Sequence, residues 1–399
     1  MPAAAGGVVP GVSNPGSQAA LRQLNEQRIV EVLAATGAAT QVEISRDTGL
    51  SAATVSNIVK TMAERGAVII TPTTRSGRRA LSVRLNTRSA VAVGIDFGRR
   101  HVRVALAGQL RTLIDERSAS LPRGHRATEG IDVACSLLAQ LLAENGVDDR
   151  AVIGVGIGIP GPLDRRTWTV VPGANLPAWE DLRILHEVQQ RISHPVHLDN
   201  DANVGALAQV TWGAHQSVGN LVFIKIGSGI GCGLIINGAP FYGNIGVTGE
   251  IGHATVDPHG PICRCGNRGC LETIASTSTM IERLGGGTRL TTEDIIRNAD
   301  RGDPATLRVL EDAGVAVGRA LADVANLLNP EVIVVGGPLA CLGETLLEPV
   351  RRGLQRNALP VVGETTAVVM SSLGERAEVL GAASLVLQQP TTRQPQTVG

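Results

Sequence analysis

The chain has 399 residues, 43% of them apolar, and balances 36 basic against 36 acidic side chains. That length exceeds the roughly 250–300 residues at which one core stops growing, so two or three domains are expected, and no apolar run approaches the ~18 residues of a membrane-spanning helix. The charge is uneven: residues 1–90 carry ten Lys or Arg against five Asp or Glu, the asymmetry of an anion-binding module joined to a neutral or acidic one.

The opening "MPAAAGGVVPGVSNPGSQ" is rich in Gly, Pro and Ala and lacks the charged and apolar regions of a secretion signal, so 1–18 reads as a disordered tail. The expected compartment is the cytoplasm, where thiols stay reduced. Leu21, Leu24, Ile29, Val32 and Leu33 share one side of a helical wheel and predict a first amphipathic helix ending near Gly37. Thr40 with Glu43 forms a capping box for a short second helix to about Asp47. Gly49 permits a tight turn, and Ser51 caps a third helix.

In that third helix Val55, Ile58, Val59 and Met62 follow core-facing spacing, which leaves Ala53, Ser56, Asn57 and Lys60 outward. Short donor and acceptor side chains with one Lys suit a helix set into a DNA major groove, where bulk would block approach to the base edges. Taken alone, the same face is also that of an ordinary solvated helix. "AVIITPTTRSGRRALSVRLN" then reads as strand, turn, strand with Arg75, Arg78 and Arg79 at its tip, arginines suited to a minor groove. The order of these elements over 19–88 is that of a winged helix-turn-helix.

From residue 89 the composition changes to Gly- and Val-rich strands: "AVAVGIDFG", "VIGVGIGIPGP", "PVHLDNDAN", "NLVFIKIGSGIGCGLIING" and "EVIVVGGPLA". Helical stretches intervene at Ile131–Glu144, Thr306–Leu328 and Leu346–Gln355, which predicts an α/β architecture. No P-loop run is present, and Gly227, Gly229, Gly231 and Gly233, every second residue, lack the dinucleotide-binding spacing. Three of six cysteines crowd into "CRCGNRGC", leaving redox, disulfide or metal chemistry open; a reducing compartment argues against the disulfide.

"GEIGH" followed by "CRCGNRGCLE" resembles the ROK family (repressor, open reading frame, kinase), and the likeness extends over about Leu21 to Leu387. The resemblance implies a two-lobed actin-like, ribonuclease H-like sugar-kinase fold over 89–387, with lobes of about 89–198 and 199–387 and a tail at 388–399. It implies a structural zinc on His253, Cys263, Cys265 and Cys270; one imidazole and three thiolates agree with a closed tetrahedral site that leaves no position for water. His259, nearby, reads as a surface residue. Sugar hydroxyls would meet Asn175, Asn200, Asp201, Glu250, His253 and Glu272, with His253 joining metal and sugar through its two ring nitrogens. Asn200 and Asp201 equally suit the cap of a following helix, and Asn175 a turn.

Asp201 also stands where the family's kinases keep their catalytic base. Those kinases carry Asp-x-Gly-Gly-Thr in the first phosphate loop, whereas this chain reads "DFGRRH" with Arg99 and Arg100 in place of the second glycine and the threonine. A long side chain there obstructs phosphate, which argues against ATP and against catalysis. The expected function is a cytoplasmic, nucleoid-associated repressor of carbohydrate metabolism that binds an inverted-repeat operator as a homodimer or dimer of dimers and responds to a sugar or sugar derivative. Membranes are not an expected partner. The competing expectations are an ATP-dependent sugar kinase bearing a DNA-binding module, and a zinc-dependent scaffold.

Overall fold

The computed structural model describes residues 18–64, 66–75, 78–86, 90–122, 124–171, 179, 182–285 and 290–388. The expected tails lie outside them apart from Gln18 and Gln388. Two compact units emerge, one reaching Ala90 and taking in Gly108–Thr112, the other comprising Val91–Ala107 and Leu113 onward. Among the described residues no helix is long and apolar enough to cross a membrane.

The first unit is built from α1 (Gln18–Thr36), β1 (Ala39–Thr40), α2 (Gln41–Thr48), α3 (Ala52–Glu64), β2 (Val68–Arg75) and β3 (Arg78–Leu85). The capping box starts α2: the Glu43 N–H donates to Thr40 Oγ1 (3.3 Å) and the Thr40 N–H to Glu43 Oε2 (2.7 Å). Gly49 closes it in the left-handed region at φ 71°. Ile29, Val30, Leu33, Ile44, Val55, Ile58, Val59, Met62 and Val83 form the core. Leu21 and Leu24, expected in that core, are 60% and 54% exposed instead. With 8 and 13 residues, α2 and α3 are shorter than the 19 of α1, and the buried positions of α1 begin only at Ile29. The sheet has an unexpected third member, since β1 pairs antiparallel with β3 to give the order β1-β3-β2.

The second unit holds two five-stranded sheets. One runs β10 (Val196–Asn200), β7 (Val152–Ile159), β4 (Val91–Phe97), β5 (His101–Gly108), β6 (Thr112–Ser120). The other runs β13 (Ala239–Pro240), β12 (Ile230–Ile236), β11 (Leu221–Ile226), β14 (Val332–Gly336), β15 (Ala367–Met370). A two-stranded hairpin, β8 (Leu163–Asp164) with β9 (Thr169–Val170), follows β7. The outer face of the first sheet packs on α4 (Ala127–Glu144) and α5 (Ile184–Gln189). That of the second packs on α10 (Pro304–Leu328) and α11 (Glu344–Asn357), with α7 (Glu272–Ala275), α8 (Thr277–Arg283) and α9 (Thr292–Asp300) alongside and α12 (Pro360–Thr365) beyond. Between the sheets lie α6 (Asp201–Thr211) and α13 (Ala377–Leu387), packed on each other. Both faces of the central strands are therefore covered, which is why they read as near-continuous apolar runs.

Glycine makes that layering possible. A Cβ on Gly156 of β7 would stand 1.8 Å from the Ala382 carbonyl oxygen of α13, and one on Gly381 would stand 1.7 Å from that of Val204 in α6. These contacts are backbone against backbone, so no side-chain rotation relieves them. Gly156→Ala is expected to cost about 3 kcal/mol, measured by urea unfolding. Gly363→Ala in α12, whose nearest atoms are 3.7 Å from the added Cβ, should change stability by less than ~1 kcal/mol.

Candidate functional site

The carboxyl ends of parallel strands β4, β7 and β10 and of parallel β11 and β14 border one cavity of about 970 Å³. Clefts at strand ends are where open α/β sheets bind ligands. Its lining includes Asn200, Asp201, Glu250, His253 and Glu272. Of the sugar-contact candidates, only Asn175 lies outside the described residues.

Each of these side chains is held by its neighbours. Asn200 caps α6, accepting from the Ala202 (2.8 Å) and Asn203 (3.3 Å) N–H groups while its Nδ2 donates to the Gly161 carbonyl (2.8 Å); the capping role weighed from sequence is real. Asp201 Oδ2 accepts from Lys225 Nζ at 2.9 Å. Glu272 accepts from the Ile230 N–H at 3.1 Å and pairs with Arg264. Burial, then the charges of Asp201 and Glu272, push the Glu250 carboxyl up to about 7.

His253 closes a short turn, Ile251–His253, and meets two environments. Its Nδ1 is 3.6 Å from Cys263 Sγ and its Nε2 3.9 Å from Glu250 Oε2. Cys265 and Cys270 Sγ stand 3.7 Å apart, and the four donor atoms of His253, Cys263, Cys265 and Cys270 lie within 4.8 Å of one another. A disulfide needs about 2.05 Å, and all three thiols are free. A tetrahedral cation bonded at ~2.0–2.3 Å spaces its donors by roughly 3.5–3.8 Å, so the residues fit a metal ion. Gly269, at φ 62° and with space for no Cβ beside the Asp257 carbonyl, turns the loop back toward Cys270. His259 is exposed.

At the other end of the cavity Arg99 Nη1 reaches to 3.5 Å from both the Ser228 carbonyl and Ser278 Oγ. It thus overlies the Gly227–Gly229 turn that joins antiparallel β11 and β12. Arg100 is exposed beside Glu293. In the first unit, Ala53, Ser56, Asn57 and Lys60 are all exposed on α3, opposite its buried face. The backbones of Arg75 and Arg79 pair with Arg78 and Thr74, while the side chains of Arg75, Arg78 and Arg79 lie outside what is described.

Three groups were not singled out from sequence: Lys225, Arg264 and Asp199. Buried Asp199 takes four hydrogen bonds, from the Asn200 N–H (2.7 Å), Asn203 Nδ2 (2.9 Å), Arg165 Nη1 (3.0 Å) and the Tyr242 hydroxyl (2.8 Å). Arg165 also stacks 3.7 Å from the Tyr242 ring centroid, so the β8–β9 turn is tied to the segment leading to Glu250. The legible signals were a charged residue inside an apolar strand, an arginine between two ligands and the first acid of "DNDAN".

The chain matches the ROK family over residues 92–389 and a Domain of unknown function (DUF7343) over 23–80. It is 28% identical to a protein named "Putative xylose repressor" of Caldicellulosiruptor sp. (strain Rt8B.4), covering 93% of this chain and 97% of that one. It is 32% identical to a "Glucokinase" of Halalkalibacterium halodurans, covering 74% of this chain and 95% of that one. A solved structure described as a ROK family transcriptional regulator, homolog of the E. coli MLC protein, aligns with TM-score 0.66 and 25% identity over 92% of this chain and 96% of that one. Asp199→Ala is expected to destabilise the second unit by about 3 kcal/mol, since it strands Arg165 and Tyr242; urea unfolding measures the loss, and hydrogen exchange should quicken over 242–249.

Proposed function

The chain belongs to the ROK family, and from that premise we propose that it is a sugar-responsive, DNA-binding repressor of carbohydrate metabolism. The observation that carries this reading is the N-terminal unit. The similarity to the glucokinase covers 74% of the chain, whereas that to the putative xylose repressor covers 93%. On this reading 19–88 reads DNA, 89–387 senses sugar in two lobes of about 89–198 and 199–387, and 1–18 and 388–399 are tails.

In this proposal Ala53, Ser56, Asn57 and Lys60 enter the major groove of each half of an inverted repeat, with Arg75, Arg78 and Arg79 on the adjacent backbone or minor groove. Two copies of the chain match the two-fold symmetry of the operator. Asp201, Glu250, His253 and Glu272 receive sugar hydroxyls, joined by Asn175 and by whatever capacity the cap leaves to Asn200. A site built from paired hydrogen-bond partners rejects ligands that lack them. Sugar closes the lobes and shifts the population of DNA-binding geometries.

The metal in this reading is zinc, chosen by one imidazole and three thiolates, and its role is structural. Bound there, it would pin the loop carrying Glu250 and Glu272 and fix the ring of His253. Phosphoryl transfer is not proposed, because Arg99 lies over the glycine turn where a nucleotide's phosphates would approach. A sugar kinase with an attached DNA-binding unit is the second reading, favoured by Asp201 and by the glucokinase similarity; it requires sugar-dependent ADP release from purified protein.

Two outcomes test the proposal. Screening hexoses, pentoses and their derivatives by thermal shift should yield a hit that releases operator DNA at least ~10-fold, with Asn57→Ala relaxing sequence preference more than Lys60→Ala; operator binding indifferent to every sugar would sink it. Elemental analysis of unchelated protein should find one zinc per chain. Cys265→Ser should lose both the metal and the sugar response, because an open thiolate set no longer holds the loop.

A further inference from the structure

Lys225 is one of only two lysines in the sequence, in which arginine supplies nearly all the basic charge. It sits near the end of β11, a strand whose other residues are all apolar. Strand alternation decides where it points. Val222, Ile224 and Ile226 pack on the outer core of the second sheet and Leu221 and Phe223 on the inner one, so Lys225 shares the inner face, toward α6. In β4, Val91, Val93, Ile95 and Phe97 take the outer core, which turns Asp96 inward in the same way.

Two carboxylates meet the lysine there, Asp201 at the start of α6 and Glu378 at the start of α13, and a third, Asp96 near the end of β4, acts on it electrostatically from farther off. Lys225 Nζ is 2.9 Å from Asp201 Oδ2 and 3.3 Å from Glu378 Oε1. The side chains of Lys225, Asp201, Glu378 and Asp96 are only 15%, 13%, 4% and 3% exposed. Asp96 Oδ2 faces His101 Nε2 at 3.1 Å, while its buried Oδ1 has no hydrogen-bond partner. Burial opposes the charge on Lys225, but Asp201, Glu378 and Asp96 outweigh it and hold the ammonium above its ordinary pKa.

Three buried carboxylates without a cation would have to take up protons or bind a metal. Oxygen ligands of this kind suit Mg²⁺ or Mn²⁺. We infer that Lys225 is the resident cation of this cleft: its ammonium stands among Asp96, Asp201 and Glu378 where a divalent metal would otherwise bind, and holds Asp201 as an ion-paired acceptor. Asp201 then meets a ligand hydroxyl as an acceptor whose Oδ2 is already committed to the ammonium. A compact ammonium on a flexible stem fits such a position, and the broad, forked guanidinium does not. This deepens the sensor reading and rests on it only for the identity of the ligand.

The test needs neither sugar nor DNA. Lys225→Met should lower the thermal midpoint by about 10 °C, and millimolar MnCl₂ should restore it while leaving the parent unmoved. Electron paramagnetic resonance titration should find one saturable Mn²⁺ site in the variant beyond any shown by the parent. Lys225→Arg, which keeps the charge, should gain no such site. Where Lys225→Met alone does not fold, Lys225→Met with Glu378→Gln should fold and show the same Mn²⁺-dependent stabilisation. A parent that binds Mn²⁺ as well as Lys225→Met, or folded variants whose midpoints ignore Mn²⁺, would overturn the inference and leave the repressor reading standing. Operator binding that ignores every sugar would do the reverse.

Discussion

Backbone contact between α13 and the first sheet, and between α6 and α13, sets the geometry of the second unit. Gly156 lets the Ala382 carbonyl approach, and Gly381 does the same for Val204. At such separations even one methyl group would push the layers apart. The thinness of this middle layer lets the carboxyl ends of β4, β7 and β10 and those of β11 and β14 open onto one cavity. Packing density and binding chemistry are thus one constraint: any spreading of α6 from α13 would also part Asp201 from Glu378, and so break the contacts both make with Lys225.

The cavity wall is unusually rich in ionisable groups, and its organisation follows from the cost of burying them. Most of the acids in or beside it stand close to a cationic or hydrogen-bonding group: Asp201 and Glu378 share Lys225, Glu272 has Arg264, Asp96 has His101, and Asp199 has Arg165 and Tyr242, although Asp96 Oδ1 and Glu378 Oε1 make no hydrogen bond. Glu250 has His253 Nε2 no nearer than 3.9 Å, and burial, then the charges of Asp201 and Glu272, lift its carboxyl to about 7. A group poised between charged and neutral forms donates to a ligand as readily as it accepts, which suits the recognition of hydroxyls that do both. Asn200 illustrates the opposite case, since capping α6 already commits its side-chain oxygen.

The cysteine loop couples to this wall through two residues. His253 turns one ring nitrogen toward the thiols and the other toward Glu250, and Arg264, set between two cysteines, reaches Glu272. Order in the loop is therefore order in the cavity. The same loop is short, and its turns are fixed locally by Gly266 and Gly269 at positive φ, so a metal that draws the four donors together meets little resistance from the chain.

Sequence alone determined whatever depends on near neighbours in the chain. The capping box of Thr40 and Glu43, the buried face of α3 and the crowding of Cys263, Cys265 and Cys270 all arise from spacings of a few residues, where backbone geometry leaves little choice. Family resemblance extended this to the two-lobed α/β fold. Local periodicity also misled where partners were needed, since Leu21 and Leu24 carry the pattern of a core without neighbours to bury them. Only the tertiary structure decided which distant charges meet. Lys225 and Glu378 are 153 residues apart and Asp96 lies in a different sheet, so no spacing rule joins them; strand alternation aims each inward, but the layering of α6 and α13 sets their partners. Arg99 likewise came to lie over the glycine turn only once Ser228 and Ser278 were brought within its reach, because a long side chain's role is fixed by what stands at its end.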